Sequence, residues 1–212
     1  MKALIIGATG ATGKDLVKVL LEDKDYTAVV LFVRRASGLK HPKLSEIITN
    51  FDQLEAVSDH IKGDVWFSCL GTTLKTAGTK EKQWQIDYEI PARFAAIAKQ
   101  NGVRSTVLLS AYGAAASSKV FYSRMKGQLE DLMTGLAFDQ LIIFKPGLLL
   151  RKDSDRVAER MMAGMLKFLN AVGIIRKFKP MPTDVLAGKM AKAPKVLGDG
   201  KHVIELEKIF SM

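Results

Sequence analysis

Three glycines at three-residue spacing, within Gly7-Ala8-Thr9-Gly10-Ala11-Thr12-Gly13, carry the clearest chemistry in this 212-residue chain. An apolar run, Lys2-Ile6, precedes them and a helical pattern follows. Glycine there permits a tight turn, lets backbone approach a pyrophosphate and allows the helix to pack closely on the strand. Free amides at the helix N-terminus then face the phosphates, so Gly7, Thr9, Gly10, Ala11, Thr12 and Gly13 are expected to hold a dinucleotide. A glycine turn without a ligand is the alternative. A P-loop is excluded, because Ala8 stands where its first glycine belongs and Asp15 replaces the magnesium-binding Ser/Thr. About twenty residues on, where an NAD-binding protein places an acid for the ribose 2′-hydroxyl, the chain has Arg34 and Arg35. A guanidinium grips a 2′-phosphate and offers no acceptor to a hydroxyl, so the expected cofactor is NADP.

A second constellation is Tyr122 and Lys126, four residues apart and therefore on one face of a helix. It follows an apolar strand ending at Ser110, and sheets of this kind bind ligands beyond the C-terminal ends of their strands.

The elements that must position these groups alternate. Strands are expected at Lys2-Ile6, Ala28-Val33, Glu46-Thr49, Asp64-Cys69, Thr106-Ser110 and Gln140-Phe144. Helices are expected at Thr12-Lys24, Gln83-Gln100 and Ser118-Thr134, the last capped by serines and stopped by Gly135, with Gly102 closing the middle one. This β-α-β rhythm predicts an α/β fold, a doubly wound parallel Rossmann sheet. Beyond Gly147 the pattern becomes two helix-like stretches, Arg156-Asn170 and Thr183-Ala193, then a strand at His202-Leu206. The expectation is one domain over 1–212, with residues 148–200 contributing a small lobe over the substrate.

In this order the motifs resemble extended and atypical short-chain dehydrogenase/reductases: Gly7-x-x-Gly10-x-x-Gly13, Cys69-Leu70-Gly71-Thr72-Thr73, Ser110, Tyr122-x-x-x-Lys126 and Lys145-Pro146-Gly147. The Cys69–Thr73 run with Asp87 and Ser117-Ser118 looks most like the NmrA-like Tat-interacting-protein branch and its bacterial relatives. The resemblance implies hydride transfer between NADPH and a small carbonyl or alcohol. In it Tyr122 is the proton donor, Lys126 holds the nicotinamide ribose and lowers the Tyr122 pKa, and Ser110 bonds the carbonyl. Asp52, Cys69, Leu70, Gly71, Thr72 and Pro146 complete the residues expected along the cofactor. Two positions depart from the pattern: Ala111 follows Ser110 where relatives have a second serine, and Asp87 stands where many have asparagine.

Composition limits the other readings. Hydrophobic residues make up 48% of the chain and charged residues 25%, ordinary globular usage. No apolar run approaches the roughly 18 to 20 residues of a membrane span. One cysteine and three scattered histidines exclude a disulfide scaffold and a zinc enzyme, and no metal site is expected. The net charge is +10, with eleven Lys/Arg against four Asp/Glu in residues 151–195. That field suits a phosphorylated cofactor, an anionic surface or simple solubility; without interleaved aromatics it does not suggest nucleic acid. The start of the chain shows no export signal, which predicts a cytoplasmic protein. Two functions are open: an NADP-dependent oxidoreductase, or an NADP(H)-binding redox sensor that regulates a protein partner with little turnover.

Overall fold

A computed structural model describes residues 1–150 and 180–212. The expected helix Arg156-Asn170 lies outside them. Strands β1 (Lys2–Ile6), β2 (Ala28–Val33), β3 (Leu44–Ile48), β4 (Val65–Ser68), β5 (Ser105–Leu109), β6 (Gln140–Lys145) and β9 (Gly200–Glu205) form one sheet in the order β3-β2-β1-β4-β5-β6-β9. All its pairings are parallel. A minor parallel pair joins β7 (Leu149–Leu150) to β8 (Met181–Pro182). After β3 the chain returns to pair β4 with the other side of β1, and this reversal opens the crevice where Rossmann sheets take their ligands.

The inner strands β1, β2, β4 and β6 are buried almost without alternation because both faces are covered, whereas the edge strands β3 and β9 carry polar and exposed residues. Over one face, α1 (Ala11–Glu22) and α6 (Thr183–Val196) bury Leu16, Val17, Leu20, Leu186 and Met190 with Ile5, Leu31 and Phe67. Over the other, α4 (Ile90–Gln100) and α5 (Phe121–Gly135) bury Phe94, Ala98, Leu129 and Met133 with Leu4, Ile6 and Trp66. Trp66 stacks on Phe94 at 5.1 Å between ring centroids, and Phe32 meets the same ring edge-on at 4.9 Å. Within the expected 148–200 lobe, α6 packs on the core: the Tyr26 hydroxyl donates to Ala191 O at 2.7 Å and the Thr183 hydroxyl to Asp15 at 2.6 Å.

Element boundaries fall within three residues of the sequence expectation, except that the expected helix Gln83-Gln100 is continuous α4 only from Ile90, and local hydrogen bonds explain where helices end. Gly102 does close α4: at φ +82° its amide reaches Lys99 O, and Val103 N reaches Ala98 O. Serine does not cap α5. Ser118 Oγ instead accepts from Val120 N at 3.2 Å, turning the chain before a helix that begins at Phe121. Gly135 is the last residue of α5 rather than its left-handed stop, a conformation taken by Ala137 at φ +51°. The sequence reading missed a 3₁₀ stretch at Phe51–His60, the short helices α2 (Leu74–Ala77) and α3 (Lys80–Trp84), a π-turn at Gln85–Glu89 linking α3 to α4, and the terminal α7 (Glu207–Ser211).

Candidate functional site

Gly7 makes the turn from β1 into α1 at φ +79°, and a Cβ there would collide with the backbone of Cys69 and Leu70 at the end of β4. A Cβ on Gly13 would strike Gly7 O. Both glycines are therefore required by backbone contact, the third for close helix packing as its spacing suggested. Gly10 is the N-cap of α1. It has no side chain to satisfy the first amides, and the first turn carries no acid, so no side chain of that turn answers the positive end of the helix.

Beside this turn lies a cleft of about 800 Å³ at the C-terminal ends of β1, β2, β3 and β4. It gathers Gly7, Thr9, Gly10, Arg34, Asp52, Cys69, Leu70, Gly71 and Thr72, nine of the expected cofactor residues. Ala11, Thr12 and Gly13 sit in the first turn of α1 outside its lining, Thr12 and Gly13 being buried. Arg34 lines the cleft; Arg35, also exposed, does not. Residues the sequence reading missed include Ile48, Asn50, Lys82, Gln85 and Ile90. Lys82 and Gln85 arrive on the helical stretch after β4, where spacing gave no signal, while Asn50 follows a strand end and was legible in principle. Asp52 Oδ1 accepts from Gln85 Nε2 at 2.8 Å, tying the two rims together. Open first-turn amides, glycines that admit backbone contact and a cleft of this size fit a dinucleotide. Arg34 and Lys82 are the two cationic side chains of its lining.

The helix α5 brings Tyr122 and Lys126 to one face, with Lys126 Nζ 5.9 Å from the Tyr122 ring centroid. One residue on, Gly127 lets the helix press against the loop after β5, since a Cβ there would collide with Ala115 and Ala116. Lys126 is buried and faces Asp87 Oδ2 at 3.7 Å, an ion pair longer than a hydrogen bond. The π-turn presents Asp87, a device common where a helix must aim a functional group. Its other oxygen accepts from Thr72 N at 2.7 Å, while Oδ2 has no hydrogen-bond partner. A Cβ on Gly71 would lie 3.7 Å from both Asp87 Oδ2 and Lys126 Nζ, so the pair sits directly beneath this residue of the cleft. Burial raises the Asp87 pKa against the opposing pull of Lys126, and lowers the Lys126 pKa against that of Asp87.

This arrangement corrects the expected tuning of Tyr122. Its phenol is pushed up to about 12, first by partial withdrawal from water, the residue as a whole staying 39% exposed, and then by the Asp87 carboxylate. Lys126 does not lower it because its charge is largely answered by Asp87, and an ion pair projects a much weaker field than a lone ammonium. Tyr122 is therefore a phenol at neutral pH, suited to give a proton rather than take one.

Ser110 also differs from expectation. It is 6% exposed, and its hydroxyl donates to Glu130 Oε1 on α5. Its single proton is thereby engaged, which does not fit a role as donor to a substrate carbonyl. Glu130 Oε2 faces Lys145 Nζ at 3.3 Å; Lys145 donates to Ala114 O at 3.0 Å and meets Glu205 Oε1 at 3.4 Å. Pro146 is buried beside this cluster, its carbonyl accepting from Tyr112 N at 2.9 Å, and it does not line the cleft.

Comparison with known proteins agrees with this geometry. Residues 7–141 match a family described as NAD(P)H-binding. The mitochondrial protein FMP52 of Debaryomyces hansenii is 34% identical over 213 residues, covering 96% of this chain and 93% of that protein. The FMP52 proteins of Meyerozyma guilliermondii and Eremothecium gossypii, 36% and 33% identical, are covered over 66% and 67% of their length. The rat protein HTATIP2 is 35% identical over 150 residues, 69% of this chain and 62% of its own. Among solved structures, a short-chain dehydrogenase/reductase superfamily protein from Agrobacterium tumefaciens with bound NAD superposes with a TM-score of 0.72 at 17% identity, covering 97% of this chain and 77% of that one. The expected cytoplasmic location is overturned by these relatives, several of which are named as mitochondrial. No helix among the described residues is long and apolar enough to cross a membrane.

Proposed function

The chain belongs to the NAD(P)H-binding family, as an atypical short-chain dehydrogenase/reductase resembling the HTATIP2 branch, and from that premise we propose that it is an NADP-dependent oxidoreductase reducing a small carbonyl substrate. The observation that carries this reading is the convergence of the Gly7–Gly10 turn, Arg34 and the Cys69–Thr72 segment after β4 on one cleft, with Lys126 outside the lining but beneath Gly71 and the Tyr122 ring 5.9 Å from Lys126 Nζ. Arg34, with Lys82, favours the 2′-phosphate of NADP. The cofactor, when bound, supplies the hydride.

The chain's own residues manage the proton and the orientation. Tyr122 gives its phenolic proton to the developing alkoxide, which suits the reductive direction because the phenol is held protonated. Lys126, near the Tyr122 ring and held by Asp87, is the group that would hold the nicotinamide ribose. Asp87 fixes Lys126 and, through Thr72 N, the strand end next to it.

A second reading, an NADP(H)-binding redox sensor acting on a protein partner, is favoured by one observation. The Tyr122 phenol is not activated and Ser110 is engaged elsewhere, an arrangement that binds cofactor but turns over slowly.

The test is titration of NADPH and NADH by tryptophan fluorescence, followed by a panel of carbonyl substrates monitored by NADPH absorbance. Tyr122→Phe is expected to lower the rate by about 10² to 10⁴ and leave NADPH affinity unchanged. An unchanged rate removes Tyr122 as the acid. Tight NADPH binding with no turnover on any carbonyl favours the sensor.

A further inference from the structure

Tyr122, Lys126 and Glu130 recur every four residues along α5 and share one face. Only the first two enter the reaction described above. Glu130 is nearly buried, its side chain 12% exposed, and its two oxygens serve different strands. Oε1 accepts the Ser110 hydroxyl just beyond β5, and Oε2 pairs with Lys145 at the end of β6. Lys145 is held in turn by Ala114 O and Glu205. The carboxylate thus clamps the helix to two strand ends one turn beyond Lys126.

We propose that Glu130 is a positioning residue for the Tyr122–Lys126 pair, holding α5 in register against β5 and β6 and placing a second negative charge one helical turn from Lys126. The proposal rests on the oxidoreductase reading. Among the described residues, the charged and titratable groups recorded around Lys126 are Asp87 from the π-turn and Tyr122 and Glu130 from its own helix; Lys145 pairs with Glu130 and with Glu205. Burial drives Lys126 toward the neutral amine, while Asp87 and Glu130 favour the ammonium. Removing the Glu130 charge must therefore lower the pH at which Lys126 loses its proton. NADPH binding that uses the ammonium then fails at lower pH.

The experiment titrates NADPH by fluorescence across pH in wild type, Glu130→Gln, Glu130→Asp and Lys126→Met, with thermal midpoints recorded beside it. The alkaline limit of binding is expected to fall by about one pH unit in Glu130→Gln, to return in Glu130→Asp and to vanish in Lys126→Met. A purely structural role would lower the midpoint and leave the alkaline limit in place, and that result overturns the proposal. If Glu130→Gln does not fold, Ser110→Ala removes only the tie to β5. It is expected to weaken NADPH about 3- to 10-fold, in keeping with one hydrogen bond, and an unchanged affinity overturns the proposal. Absence of NADPH binding by the wild type defeats the parent reading as well, whereas normal binding with an unmoved limit defeats this inference alone.

Discussion

Replacing Asp87 by asparagine tests the buried pair directly. The side chain keeps its shape and an oxygen for Thr72 N, so the change removes the charge facing Lys126 and little else. At 3.7 Å and an effective dielectric of about 20, the lost attraction is roughly 4 to 5 kcal/mol. Breaking a buried pair by removing one partner typically destabilises by about 3 to 5 kcal/mol, which agrees. Lys126 can escape part of this penalty by shedding its proton. In the folded variant its pKa, already lowered by burial, falls further below the unfolded value. Between those two pKa values the unfolded chain binds more protons than the folded one, so stability rises with pH across that window. The deficit should be greatest near neutrality or below and shrink as pH approaches the unfolded lysine value of about 10.4. Urea denaturation of wild type and Asp87→Asn from about pH 6 to pH 10 measures it. The double variant Asp87→Asn, Lys126→Met should recover much of the loss, because no charge is left unpaired. A deficit below about 1 kcal/mol, or one independent of pH, refutes the claim that this pair is buried and mutually dependent.

Two further outcomes follow from the cleft. Arg34→Ala should weaken NADPH by about 10- to 10²-fold, the worth of one charge-assisted bond, and leave NADH nearly unchanged. Arg35→Ala, outside the lining, should change either affinity by less than about 3-fold; titration of both cofactors at two salt concentrations decides, and equal effects of the two substitutions would refute the placement. The Cys69 thiol is pushed up to about 12 by burial. Half-buried at the cleft wall, it should be alkylated near pH 8 more slowly than a free cysteine, and more slowly again with NADPH present because Cys69 lines the cleft. A maleimide rate matching a free thiol contradicts this.

What the sequence determined by itself was the scaffold and the cofactor end of the site. Strands buried on both faces must be apolar throughout, and a turn in which backbone presses on backbone must be glycine, so β1, β2, β6 and Gly7-x-x-Gly10-x-x-Gly13 were legible from residue type and local spacing. Helical periodicity likewise put Tyr122 and Lys126 on one face. The tertiary structure decided what those side chains meet, because a pKa or a hydrogen-bond role depends on partners distant along the chain. Asp87 reaches Lys126 across 39 residues, brought there by a π-turn that no pattern announced. Glu130 takes the Ser110 proton from 20 residues away, and Arg34 rather than Arg35 faces the cleft. Partial withdrawal of the phenol from water and the Asp87 carboxylate raise the Tyr122 pKa, where the sequence pattern suggested that a neighbouring lysine lowers it.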